Sequence, residues 1–245
     1  MTKWIVRIVI AAAVLIGLVY GGILLWTKVI NPPEEKLSSD DLSQVLAETT
    51  APDVDDESVA ETTVAPAPTD APTGVDGTWS ATNESTLGYR VKEVLGGVDT
   101  EGVGRTNDVT GSLTIDGTTV VATEFSVEVA TITSDSSRRD GQFAGRIMDT
   151  ATHPTATFEL TTPIELGTIP ADGEQITVEA TGDLTLRGTT NSVTFPLTAE
   201  YTNGRIGVFG NISVTFADYG IPNPSNGFAV TGDDGLLEFV LVFAR

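Results

Sequence analysis

The sequence contains no cysteine, a single histidine (His153), and only 13 Lys and Arg against 34 Asp and Glu. Without cysteine there is no disulfide, no thiolate zinc site and no thiol nucleophile. One histidine leaves a transition-metal site short of its usual ligands. A Ser-His-Asp triad would have to use His153. That residue precedes Pro154 at the entry to a strand, and no G-x-S-x-G elbow occurs. His153 reads as a turn histidine. The net charge of −21 leaves no basic face to neutralise phosphates, which argues against nucleic-acid binding. No catalytic residue, metal or cofactor is expected, and enzyme activity is not expected either.

The charge is unevenly placed. Residues 1–30 carry Lys3, Arg7 and Lys28, residues 31–76 carry twelve acids against Lys36, and the remaining −13 falls on residues 77–245. Between Ile8 and Trp26 no side chain is charged. Such a run of apolar residues, at about 1.5 Å per residue, matches the hydrocarbon thickness of a bilayer. Trp4 and Trp26 stand where interfacial aromatics lie, and Lys3 and Arg7 precede the span. Trp26-Thr27-Lys28-Val29-Ile30 offers no small-residue cleavage site, so residues 1–30 read as an uncleaved single-pass anchor with a cytoplasmic N-terminus. Ala13, Gly17 and Gly21 recur every four residues. That spacing fits a weak helix dimer, or simply the frequency of glycine in membrane spans.

Residues 31–76 are rich in Pro, Thr, Ala and acid and hold no aromatic residue. Such composition buries too little apolar surface to offset ordering entropy, so a disordered acidic linker is expected. Within it, Leu37, Leu42, Val45 and Leu46 are spaced for one short helix, with Ser39 or Asp40 as its cap.

Residues 77–245 alternate with a period of two. Leu87, Tyr89 and Val91 share one face, as do Phe125, Val127 and Val129. Residues 176–220 read as three long strands with turns at Arg187–Asn191 and at Asn203-Gly204, a pair suited to a type I′ hairpin. Val109–Asp116 and Thr118–Ile132 flank a turn at Asp116-Gly117. The glycine-rich passage Gly96, Gly97, Gly102, Gly104 reads as a bulged or bent strand, since no helix pattern follows it. Phe143, Ile147 and Met148 have helical spacing, which places a short helix across a sheet edge or barrel mouth. The expected fold is therefore all-β and antiparallel, with one short helix near one end.

Several pieces resemble the YceI-like family of extracytoplasmic lipid-binding proteins. They are Gly77-Thr78-Trp79, Leu87-x-Tyr89-x-Val91-Lys92, Val109-Thr110-Gly111-Ser112-Leu113, Ile132-Thr133-Ser134, Arg138-Arg139-Asp140 and His153-Pro154-Thr155-Ala156-Thr157-Phe158. The most specific run from Ala180 to Thr190 and from Phe216 to Ile221. The resemblance implies a lipocalin-like β-barrel over residues 77–245, holding an isoprenoid lipid (a polyprenyl chain or a quinone) in an apolar lumen. Two positions depart from the pattern. Glu93 stands where members often carry histidine, and Ile147-Met148 replaces an aromatic pair.

The inward stripes supply the lumen candidates: Leu87, Tyr89, Val91, Phe125, Val127, Phe143, Ile147, Phe158, Leu184, Leu186, Phe195, Leu197, Val214, Phe216, Phe239 and Leu241. Arg138 and Arg139 are candidates for a polar head group; either could instead pair with Asp135, Asp140 or Asp149 and fix the loop. A barrel of about eight strands either fills with side chains or holds one ligand, and alternation alone does not separate the two. The alternative is a stalked β-sandwich interaction module with a solid core. A hydrolase using Arg139, Asp140 and His153 ranks last.

Overall fold

The computed structural model describes residues 2–48 and 74–245. The chain opens with α1 (Thr2–Leu25), which runs on through a wider π-helical turn at Trp26–Ile30. Together they make one helix long and apolar enough to cross a membrane. The N–H of Asn31 donates to the carbonyl of Trp26 at 2.7 Å and ends it.

Residues 31–48 correct the expectation of a free linker beginning at residue 31. They run as a strap along the outside of the β domain. The short helix forms as α2 (Ser39–Ala47), but its cap is Ser38, one residue before those expected. The Ser38 N–H donates to the Asp41 carboxylate at 2.7 Å, and Ser38 Oγ accepts from the Asp41 N–H, a reciprocal capping box. Leu42 and Leu46 are fully buried, with Leu37, against Val240 and Val242. Gly207 leaves the notch: a Cβ there would overlap Leu42 and Leu46. The rest of the expected linker, residues 49–73, lies outside the described residues.

The β domain consists of β1 (Gly77–Ala81), β2 (Thr86–Leu95), β3 (Val98–Thr106), β4 (Val109–Asp116), β5 (Thr119–Glu128), β6 (Thr133–Ser134), α3 (Ser137–Gln142), β7 (Thr155–Thr162), β8 (Ile164–Glu165), β9 (Gln175–Leu186), β10 (Thr189–Thr202), β11 (Arg205–Thr215), β12 (Ala229–Thr231) and β13 (Asp234–Ala244). Eight of them close an antiparallel barrel in the order β1-β4-β5-β7-β9-β10-β11-β13, with β13 returning to β1. Closure removes the open edges that would invite aggregation. The sandwich alternative is thereby replaced.

β1 and β2 share the place beside β13. β1 pairs with its C-terminal end (Ala81↔Phe243), and β2 with the rest (Thr86↔Val240 to Arg90↔Leu236). The β2–β3 hairpin thus rises as part of the wall at one end. Its tip is Gly96-Gly97, both at positive φ, so these glycines form a two-residue turn. The expected bulge is not there. β3 pairs with β2 in unbroken register through Gly102 and Gly104, and the register shifts fall between Thr114 and Ile115 of β4 and between Leu160 and Thr162 of β7. β5 likewise stops at Glu128, where a 3-10 turn (Val129–Thr131) replaces the strand expected to reach Ile132.

β9, β10 and β11 are the three long strands foreseen between residues 176 and 220, turning at Arg187-Gly188 and Asn203-Gly204. Their outer face carries threonine pairs, such as Thr181 with Thr194 and Thr185 with Thr190, each at 2.8 Å between hydroxyls. The inner face is apolar. The expected short helix is α3 with the π turn Phe143–Ile147, and it lies across one end of the barrel.

Candidate ligand-binding site

A layer of four phenylalanines divides the barrel interior. Phe125, Phe158, Phe195 and Phe239 form a closed ring of contacts, with centroids 5.2 Å apart for Phe125–Phe158, 5.5 Å for Phe158–Phe195, 6.1 Å for Phe195–Phe239 and 5.9 Å for Phe239–Phe125. Such offset and edge-on geometries are favoured by the aromatic quadrupole. Each ring has a small residue beside it on the next strand. Gly111 is paired with Phe125, Gly210 with Phe239 and Ala180 with Phe195, and Phe158 lies over Gly182. A Cβ on Gly111 would come within 2.8 Å of Phe125 Cβ.

On one side of this layer the interior is nearly full, with a void of about 90 Å³. On the other side an apolar cavity of about 560 Å³ opens at the α3 end. Leu87, Tyr89, Val91, Phe125, Val127, Phe143, Ile147, Leu184, Leu186, Val214, Phe216 and Phe239 line it, and all were lumen candidates. Phe158, Phe195, Leu197 and Leu241 do not. Phe158 and Phe195 belong to the dividing layer, and all four border the nearly filled side. Periodicity locates a face and carries no information on height along the barrel axis.

Several cavity residues escaped the sequence reading. Ile132 and Ile221 sit outside the alternating strands, Ile212 and Leu237 complete the wall, and Val129 and Met148, read only as part of a strand face and a helix, line it too. A usable signal did exist, in the glycines. Gly104, Gly182 and Gly210 all occupy inward positions of their strands, and each marks the seat of an aromatic ring: Tyr89, Phe158 and Phe239.

Polar groups gather only at the mouth. Tyr89 stacks on Phe143 (centroids 4.7 Å apart, planes at 21°), and a Cβ on Gly104 would come within 2.6 Å of the Tyr89 ring. Burial pushes the Tyr89 phenol up to about 12, the neighbouring Arg139 charge only partly opposing it. Arg139 pairs with Glu93 at 3.3 Å and with Asp135. Burial works against its charge, yet Asp135 and Glu93 together hold its pKa above the usual value. Glu93 thus has a structural role. Asp140 accepts from the N–H and hydroxyl of Ser134 at 2.9 and 2.6 Å and fixes the start of α3.

The two head-group candidates therefore divide. Arg139 is held by carboxylates, as the loop-fixing alternative had it. Arg138 is exposed at the mouth and makes no ion pair among the described residues. Arg146, not singled out from the sequence, donates to the carbonyls of Asn223 and Pro224 at 3.1 and 2.9 Å, tying the helix to the loop before β12. His153 packs against the Arg187-Gly188 turn: a Cβ on Gly188 would lie 2.7 Å from its Nδ1.

The fold has solved counterparts. A polyisoprenoid-binding domain from Saccharophagus degradans, implicated in plant cell wall breakdown, superposes with a TM-score of 0.56 at 16% identity, covering 70% of this chain and 99% of that one. BcnA of Burkholderia cenocepacia superposes at 0.51 with 22% identity, covering 65% and 96%. At these identities the likeness is one of fold. No curated protein matches the sequence. The model of the YceI-like domain family matches residues 80–243, from the first strand of the barrel to the last, and the chain belongs to that family.

Proposed function

We propose that the protein is a membrane-anchored, extracytoplasmic carrier of an isoprenoid lipid, a polyprenyl chain or a quinone, held in the open half of the barrel. The observation that carries the reading is the apolar cavity of about 560 Å³ with a phenylalanine floor and a single polar rim. Its size falls in the ~300–1,000 Å³ range of ligand clefts. Water is a poor filler, because the walls offer it few partners. An apolar chain is a good one, each buried CH₂ contributing about 0.8 kcal/mol.

Binding then needs no cofactor and no catalysis. Tyr89 Oη and the Arg138 guanidinium are the groups placed to meet a polar head group at the mouth, while Arg139 keeps α3 in place. The N-terminal helix anchors the protein with its N-terminal end in the cytoplasm and the barrel outside, the orientation favoured by Lys3 and Arg7.

The test is to purify the full chain from its native host, denature it, and analyse the extract by mass spectrometry. An isoprenoid in stoichiometric amount is expected. A clean extract, together with no uptake of polyprenol or quinone on reconstitution, overturns the reading.

A further inference from the structure

The rim of the mouth carries a second apolar feature, which runs from Phe228 in the cavity lining onto the outside of the wall. Outside the N-terminal helix, five large apolar side chains are exposed among the described residues, and three of them lie here: Val94, Phe228 and Val230. Phe228 is 61% exposed. β12 lies beside the tip of β2, with Val230 directly opposite Val94, and the Gly96 N–H donates to the Phe228 carbonyl at 3.2 Å. A soluble domain gains nothing by presenting a phenylalanine to water at the end of a hairpin.

The N-terminal helix meets this same tip. A Cβ on Gly96 would come within 2.7 Å of Ile23 Cδ1 and 3.5 Å of the Phe228 ring, and one on Gly97 would lie 3.9 Å from the Tyr20 ring. Tyr20 and Ile23 precede Trp26 by six and three residues. At about 1.5 Å per residue, the tip sits roughly 4–9 Å below the level of Trp26. Apolar elements of peripheral proteins lie about 5–10 Å into the headgroup–acyl boundary, the same depth.

The strap fixes this arrangement. The Asn31 side chain bonds the Asp135 carboxylate one residue after the helix ends. Arg90 donates to the Glu34 carbonyl at 2.9 Å, and Arg105 pairs with the Glu34 carboxylate at 3.1 Å. Both arginines also hold Glu238, which is wholly buried under the strap, at 3.1 and 2.8 Å. At the far end Arg205 donates to the carbonyls of Val45, Leu46 and Glu48 and closes α2 onto the barrel. These contacts tie the end of the helix and the strap to the mouth.

We propose that Val94, Phe228 and Val230 are seated in the outer leaflet of the bilayer that the chain's own helix spans, so that the cavity opens into membrane lipid rather than into water. The inference rests on the anchored reading above and adds to it the route of entry: an isoprenoid slides from leaflet to lumen without crossing water.

The absence of cysteine allows single probes. An environment-sensitive fluorophore is attached at Phe228→Cys, at Val230→Cys, at Ile16→Cys in the middle of the helix and at Asp172→Cys at the closed end. The full chain is reconstituted in phosphatidylcholine–phosphatidylglycerol vesicles with and without a spin label on the upper acyl chain. Quenching of about twofold or more is expected at 228 and 230, with blue-shifted emission, and none at 172. Quenching at 16 with water-like, unquenched signals at both 228 and 230 overturns the docking while leaving the anchor and the carrier reading intact. No quenching at 16, by labels at any depth, removes the span on which the docking rests. Repeating the measurement in the Leu186→Trp background separates docking from cargo: the rim signal should be unchanged when the lumen is obstructed.

Discussion

The two halves of this barrel share the same strands and the same alternation, yet one encloses about 560 Å³ and the other about 90 Å³. The closed half is capped from three sides. Trp79 of β1 is buried beneath the end, its indole N–H donating to the Val75 carbonyl at 2.8 Å, with Arg245 over its ring at 4.0 Å. Ile164, Leu166, Ile169 and Pro170 fold across from the β8–β9 side. The open half has no such cap. The β2–β3 hairpin rises above the ring, and a short helix bridges the space beside it. The difference teaches that inward alternation builds a wall, whereas segments outside the alternating strands decide whether the wall encloses a core or a cavity.

The most damaging change should be in the layer between the halves. Phe158 is buried to 2% exposure and touches Phe125 and Phe195. Phe158→Ala should cost about 3–5 kcal/mol in guanidinium unfolding of the detergent-solubilised chain. Ile147→Ala, facing space that is already open, should cost about 1 kcal/mol. Equal losses would mean that the halves are packed alike. Next comes Gly210→Ala. Its methyl must displace the Phe239 ring, so a loss of about 1–3 kcal/mol is expected, and neutrality would show that the ring is not seated on the glycine.

A matched pair of enlargements sharpens the contrast further. Leu197→Trp overfills the closed half and should lower stability by about 1–3 kcal/mol while leaving polyprenol uptake within about twofold. Leu186→Trp projects into the cavity and should change stability by less than about 1 kcal/mol. Its uptake should fall about tenfold or more, equivalent to about 1.4 kcal/mol of binding free energy. Uptake lost in Leu197→Trp and kept in Leu186→Trp would place the ligand in the wrong half.

How much of this was legible follows from the same contrast. The strand periods, the Asn203-Gly204 hairpin and the helix at Phe143–Met148 are local signals, and a family's ordered motifs turned them into a barrel. The height of Leu197 and Leu241 below the floor depends on strand tilt and on the cap around Trp79, which are tertiary facts. The strap was illegible for another reason. Residues 31–48 look too polar to fold, and what orders them is a complementary track on the barrel: Arg90, Arg105 and Arg205 for the backbone carbonyls, and the Gly207 notch for Leu42. Neither half of such a pair announces its partner in the sequence.

The smallest expected effect concerns the phenol at the mouth. Burial raises the Tyr89 pKa to about 12 from the usual 10. The folded state therefore keeps a proton that the unfolded chain releases above pH 10. Its contribution to stability is complete below that pH and is lost as pH rises from 10 towards 12. The part of the near-ultraviolet phenolate signal that comes from Tyr89 and Tyr219 should rise late, since burial raises both. Tyr89→Phe should remove part of that late rise, lose less stability across the window than wild type, and leave the neutral-pH value little changed. A ligand in the cavity excludes the remaining water from the ring stacked on Phe143, so a loaded protein should shift the Tyr89 step further upward. A Tyr89 step at the ordinary phenol pKa, indifferent to lipid, would show that the ring faces bulk water and that the open half ends below it.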